Sequence, residues 1–231
     1  MKKVAVIQSN YIPWKGYFDI IHDVDLFVFY DDVQYTKNDW RNRNRVKSNQ
    51  GTQWITVPIG SHNSQLINEV EISNKLWAKK HFNTLKMNYS KTPFFHRYVA
   101  FLEYVYLERE WCYLSELNQY LVKTISKEFL GIQTLFADSR EYSASGVSLD
   151  RLIDLLKQVQ ADTYISGPAA NSYIKSETFF EAGIELVYKD YSGYPEYSQL
   201  NPPFDHYVSI MDLLFHTGPD AAYFIWGWRQ S

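Results

Sequence analysis

KVAVIQSNYIPWKGYFDIIHDVDLFVFYDD, residues 3–32, decides the fold. Residues 3–8 form a short apolar run that ends on Ser9 and Asn10, the pattern of a buried strand with polar side chains at its carboxyl end. Pro13 and Gly16 then punctuate a loop, residues 17–22 suit one or two helical turns, and residues 26–30, LFVFY, suit a second buried strand. In open α/β sheets ligands sit outside the carboxyl ends of the strands. Gln8, Asn10, Asp31 and Asp32 are therefore expected at one sheet edge, although they lie far apart in the chain.

The next stretch, DDVQYTKNDWRNRNRVK at residues 31–47, carries most of the polar chemistry. If residues 41–47 are extended, Arg41, Arg43, Arg45 and Lys47 share one face while Asn42, Asn44 and Val46 take the other. Arginine presents a planar fork of donors suited to phosphate or carboxylate. Acids at Asp31, Asp32 and Asp39, with the hydrogen-bonding aromatics Tyr35 and Trp40, make a mixed cluster more typical of a ligand site than of a solubilising face. Asn49, Gln50 and Gly51 suit a turn, and residues 53–59 alternate well enough to pair back as a hairpin that would stiffen the arginine face.

Helical spacing follows over residues 76–89, with Asn74 as cap, then over about 94–107 and 113–130, where Gly131 stops the last helix. Residues 133–136, 163–166 and 185–188 are short strands; 148–159 is an amphipathic helix that Ser148 suits as cap; 209–215 is helical, with Gly218 as its stop. Tyr-, Pro- and Gln-rich residues 191–204 form an ordered surface loop. Ser166 and Gly167, with Asn171 and Tyr173 beyond them, are expected to bring donors to the same edge, although Gly and Pro alone explain a tight turn there. The expected class is α/β: a mainly parallel, Rossmann-like sheet with helices on both faces, plus a small β-hairpin and a helical segment. One domain covering residues 1–231 is expected, with a helical insertion at roughly 74–130.

Composition narrows the function. A chain of 231 residues with 45% hydrophobic content can bury one sizeable core. The net charge of −3 argues against DNA binding by bulk electrostatics, because the basic residues are local. A small anionic ligand fits better. One cysteine, Cys112, gives no internal disulfide and no cysteine metal cluster. No stretch reads as a signal peptide or a bilayer span, so the expectation is a soluble, cytoplasmic protein. The 17% aromatic content, with 19 Tyr, suits a protein that holds flat polar rings.

No G-x-S-x-G elbow, Walker loop or G-x-G-x-x-G is present, so phosphate would be held by arginines rather than by a glycine cradle. An Asp31–Asp32 pair can hold Mg²⁺ on a diphosphate, accept hydroxyls or amines, or pair with arginine. No residue is assigned as a metal ligand, and no metal is required on this reading. His81 joins the two aspartates as a candidate base.

Three segments carry a family resemblance: QSNYIPWKGYF at 8–18, FYDDVQY at 29–35 and DWRNR at 39–43. With the helix around His81, YISG at 164–167 and SIMDLLF at 209–215, they resemble the WbqC-like protein family over nearly the whole chain. The resemblance implies a role among bacterial O-antigen and other surface-polysaccharide genes, and glycine transfer has been proposed for some members. It carries over no catalytic residue.

The turn at 13–17 also resembles, more distantly, the His-x-Gly-His turn of HIGH-type nucleotidylyltransferases, with Trp14 and Tyr17 where the histidines stand. Neither can be a cation, which speaks against nucleotidyl transfer.

The expected reaction is acylation, by a glycyl group, of the amino group of a nucleotide-linked amino sugar. Asp31, Asp32 or His81 would be the base, and Asn10, Tyr11 or Asn42 the oxyanion donors. Gln8, Trp14, Tyr17, Tyr35, Trp40, Arg41, Arg43, Ser166 and Gly167 complete the substrate-binding set. Glycine with ATP, glycyl-tRNA and a carrier thioester all stand open as donors. The alternative is a non-catalytic module that binds a nucleotide sugar or polysaccharide end.

Overall fold

In the computed structural model, residues 1–60, 64–169 and 176–230 are described. Five strands form a parallel sheet: β1 (Lys3–Ile7), β2 (Leu26–Phe29), β5 (Leu135–Asp138), β6 (Thr163–Ser166) and β7 (Glu185–Tyr188). Their spatial order is β5-β2-β1-β6-β7. The chain starts in the middle, steps outward through β2 to β5, then returns to the other side of β1 and steps outward again through β6 and β7. Strand order thus reverses between β1 and β6. That point is where a doubly wound sheet leaves a crevice at its carboxyl edge.

Strand alternation explains why the runs are apolar throughout. Ala5, Phe27 and Phe29 face one hydrophobic core, whereas Val4, Val6, Leu26 and Val28 face another. The first core is covered by α1 (Lys15–His22), α2 (Leu76–Tyr89), α3 (Phe95–Glu103), α4 (Leu114–Thr124) and α7 (Ile210–Thr217). The second lies under α5 (Ser148–Gln158) and α6 (Ser176–Glu181), through Leu155, Leu156 and Phe179. Each wholly buried Phe or Leu contributes about 1.5–3 kcal/mol.

The expected hairpin forms as β3 (Arg43–Ser48) and β4 (Gly51–Thr56), paired antiparallel from Arg43 opposite Thr56 to Ser48 opposite Gly51. Gly51 has φ +103°, a conformation that glycine adopts without a side-chain clash. The strand starts at Arg43, so Arg41 lies in the preceding turn rather than in a row with the others. Asn74 accepts from the Leu76 amide at 3.0 Å, as expected, and Ser209, read as the first residue of its helix, instead caps α7 by accepting from Met211 at 3.3 Å.

Ser148 does not cap α5. It is the first helical residue, with φ +50°, and Val147 before it offers no side-chain acceptor. Asp154, from the second turn, instead accepts from the Ser145 amide at 2.7 Å and holds the entering chain.

Candidate functional site

The hairpin is clamped over the carboxyl end of β1. The Tyr11 amide donates to the Trp40 carbonyl at 3.0 Å, and Val57 donates to the Asn42 carbonyl at 2.7 Å. Asn44, 1% exposed, donates through Nδ2 to the carbonyls of Tyr11 and Ile12 at 3.1 and 2.9 Å. Asn42 donates in the same way to Val57 at 3.0 Å. Asn44 thus ties the hairpin to the loop after β1 and Asn42 joins the hairpin's two ends, because buried main-chain acceptors need donors.

Within this clamp Arg41 reaches back to the sheet edge. Its Nη2 donates to Gln8 Oε1 and its Nη1 pairs with Asp39. Gln8 is also held from below, where the Tyr17 hydroxyl donates to its carbonyl at 3.0 Å. The arginine hairpin thus meets the sheet edge at Gln8, through Arg41.

The other cations go elsewhere. Arg43 lies over the Trp54 ring at 4.4 Å from its centroid, and Arg45 donates through Nη2 to the Tyr207 carbonyl at 2.6 Å. Lys47 is 2% exposed and donates to the Pro203 carbonyl. Among the described residues, the Nε of Arg41, Arg43 and Arg45 is buried without a hydrogen-bond partner. The expected open row of four cations is therefore a graded set: one at the sheet edge, two against aromatics and one buried.

Asp31 is wholly buried. It accepts from the Ser9 amide at 2.8 Å, the Ser115 hydroxyl at 2.5 Å and Gln119 Nε2 at 3.1 Å. Burial pushes its carboxyl above the usual carboxylate range, and the bonds from Ser115, Ser9 and Gln119 partly offset that rise. Gln119 also donates to Asp138 at 2.8 Å, so one amide from α4 joins the ends of β2 and β5. Asp138 holds the Arg140 fork at 2.8 and 2.9 Å.

Asp32 points to the other side of the sheet and pairs with Arg151 of α5. The adjacent aspartates do face opposite ways, but the cation anchored by the second is in α5, not in the arginine hairpin. A cavity of about 420 Å³ opens beside Ser115, Gln119 and Arg140. Its rim carries Glu69, Glu71 and Glu116.

His81 and Tyr11 sit together and apart from the aspartates' partners. Tyr11 is 0% exposed, and its hydroxyl meets His81 Nδ1 at 2.8 Å and the Tyr106 hydroxyl at 2.7 Å. Burial lowers the His81 pKa to about 4, so the ring is neutral at pH 7. Tyr35 is buried, with its amide donating to the Gln65 carbonyl at 2.9 Å.

Ser166 ends β6 and Gly167 follows it, across the reversal from Gln8. The nearest atom to a β-carbon placed on Gly167 would be the Tyr191 hydroxyl, at 3.8 Å. Asn171 and Tyr173 lie outside the described residues.

Trp14 and Tyr17 occupy the turn expected for them, but in different roles. Trp14 is half-buried and packs against Tyr191 and Tyr207, with centroids 5.0 and 5.4 Å away. With Trp40, Asn10, Asn44, Arg45 and Tyr207 it lines a cavity of about 290 Å³.

Sequence reading missed three groups. Lys15, 3% exposed, lies 4.7 Å from the Tyr194 ring centroid, and burial lowers its pKa to about 8. Asp19 is wholly buried and gathers Lys189 at 2.9 Å, Tyr194 at 2.5 Å and both arms of Arg229 at 2.9 and 2.6 Å. Asp212 likewise gathers Tyr89, Tyr197 and Gln199 at 3.0, 2.8 and 2.9 Å. The signal available was a charged residue inside an apolar helical stripe, FDII in α1 and MDLLF in α7, since a buried carboxylate requires donors.

No helix among the described residues is long and apolar enough to cross a membrane. No group of three or more His, Cys, Asp or Glu suited to a metal ion occurs among them. The profile of the WbqC-like protein family matches residues 8–223. A relative named "Uncharacterized protein Rv1507c", from Mycobacterium tuberculosis (strain ATCC 25618 / H37Rv), is 46% identical over 232 residues, covering 100% of each chain. No solved structure matches.

Proposed function

Since the chain belongs to the WbqC-like protein family, which supports a polysaccharide-cluster-associated function, we propose that it binds a nucleotide-linked amino sugar and acylates its amino group with a glycyl unit. The observation that carries the binding is the reversal of strand order between β1 and β6, with the Arg41–Gln8 contact on one lip and Ser166 and Gly167 on the other. A crevice of this kind accepts a nucleotide, and a guanidinium fork at its lip suits a diphosphate. Gln8, Asn10, Trp40 and Arg41 are the binding residues on this reading, and the work belongs in the cytoplasm, where nucleotide sugars are made.

Acyl transfer needs a base for the sugar ammonium and donors for the oxyanion. ATP with glycine, glycyl-tRNA or a carrier thioester would supply the acyl group. A non-catalytic binding module is the second reading. It is favoured by the full engagement of the candidate bases: Asp31 by three donors, Asp32 by Arg151 and His81 by Tyr11.

The test is calorimetric titration with dTDP and with dTDP-4-amino-4,6-dideoxyglucose, followed by mass spectrometry of the sugar after incubation with each donor. Binding with a new glycyl amide supports transfer. Binding without an amide under every donor supports the module, and absence of binding to either nucleotide defeats transfer and leaves only a module for a polysaccharide end.

A further inference from the structure

We infer that the aromatic cavity between the hairpin and the loop after β1 is the subsite for the hexopyranose ring, an assignment that rests on the nucleotide-sugar reading above. A pyranose offers one flat C–H face and a rim of hydroxyls, so its site needs an aromatic surface with polar groups around it. The cavity has both. Trp14, Trp40 and Tyr207 supply rings; Asn10 and Arg45 supply polar atoms, whereas the Asn44 amide is engaged by the Tyr11 and Ile12 carbonyls and the Arg45 amide; the volume is about 290 Å³.

The rings are left open to solvent: Trp40 is 44% and Tyr207 62% exposed. Large aromatics that remain exposed around a concavity gain free energy when a ligand covers them. Arg45 is held in place by its bond to the Tyr207 carbonyl at 2.6 Å, yet its Nε has no partner among the described residues.

Position supplies the second argument. Trp40 is the residue before Arg41, and its carbonyl accepts from Tyr11 at 3.0 Å. The cavity therefore begins one residue from the arginine at the β1 lip. A diphosphate at Arg41 would direct its sugar between Trp40 and Tyr207.

The experiment uses wild type, Trp40→Ala, Trp40→Phe and Tyr207→Ala, each titrated with dTDP, dTDP-4-amino-4,6-dideoxyglucose, the methyl glycoside of that sugar, and adenosine. Saturation-transfer NMR follows the weak ligands. The expected result is that wild type binds the sugar nucleotide at least tenfold more tightly than dTDP. Tyr207→Ala erases that margin with dTDP affinity unchanged within twofold; Trp40→Ala erases it as well, and Trp40→Phe keeps most of it.

The assignment is overturned if the sugar adds nothing to dTDP affinity, if Tyr207→Ala weakens both nucleotides equally, or if adenosine takes the cavity in place of the glycoside. Failure of dTDP to bind while the glycoside binds in a Trp40-dependent way would defeat the nucleotide reading and leave the subsite standing. If neither the glycoside nor the sugar nucleotide binds, the subsite is overturned as well.

Discussion

The indole of Trp14 folds back over the α-carbon of Gly16, and a β-carbon at position 16 would overlap the six-membered ring. This contact explains a glycine two residues after a tryptophan in the turn that follows β1. The same indole is a wall of the aromatic cavity. Gly16→Ala must displace it or strain α1, and overpacking of that kind costs about 1–3 kcal/mol. The variant is expected to unfold at lower urea and to lose part of the sugar-dependent affinity; unchanged urea midpoint would mean that the indole moves away freely.

Arg41 and Arg43 are expected to separate. Arg41 reaches Gln8 and Asp39 at the sheet edge, whereas Arg43 lies on Trp54. Arg41→Ala should weaken nucleotide binding by about ten- to a hundredfold, the equivalent of one charge-assisted hydrogen bond at about 1.5–3 kcal/mol. Arg41→Lys should restore little, because an ammonium lacks the planar fork. Arg43→Ala should change affinity less than threefold. Titrations at two salt concentrations check this, and equal losses for both arginines would return the anion site to the whole hairpin.

The two aspartates are expected to differ in stability. Asp31→Asn keeps one oxygen and replaces the other by NH₂, so either the Ser9 amide on one side or Ser115 and Gln119 on the other lose a buried acceptor, at about 1–3 kcal/mol each. Asp32→Asn weakens the pair with Arg151, which keeps some exposure, and should cost about 1 kcal/mol or less. Urea midpoints rank the two. A larger loss at Asp32 would contradict the bonding of Asp31.

His81 makes the protein sensitive to acid. Its folded pKa of about 4 lies below the ordinary value of 6.5. Between these values the unfolded histidine binds a proton that the folded one does not, so stability falls as pH drops from 6.5 to 4. The whole effect amounts to about 3 kcal/mol at 1.36 kcal/mol per pKa unit. Asp31, raised by burial, acts in the opposite direction at the acid end, so the comparison is with a variant rather than with a fixed curve. His81→Gln should flatten the wild-type slope across this window; parallel slopes would show that the imidazole is not the group responsible.

Local pattern determined the strands, the hairpin and most helix boundaries. Apolar runs of four to six residues bounded by polar or turn residues have few other solutions; Asn74 marks a helix start through its side-chain oxygen, and Gly131 and Gly218 mark helix ends through their backbone. The same pattern put Gln8, Asn10, Asp31 and Asp32 at one edge, because each follows a parallel strand. It also separated the faces of Asp31 and Asp32, since extended neighbours alternate. Tertiary structure alone decided the partners. Arg151, Ser115 and Gln119 come from helices far along the chain, and no spacing rule relates them to the aspartates. Arg45 meets Tyr207, and Asp19 meets Arg229, across separations of 162 and 210 residues. Periodicity fixes the direction of a side chain on its own element, but the charge or ring it meets there depends on how the elements pack.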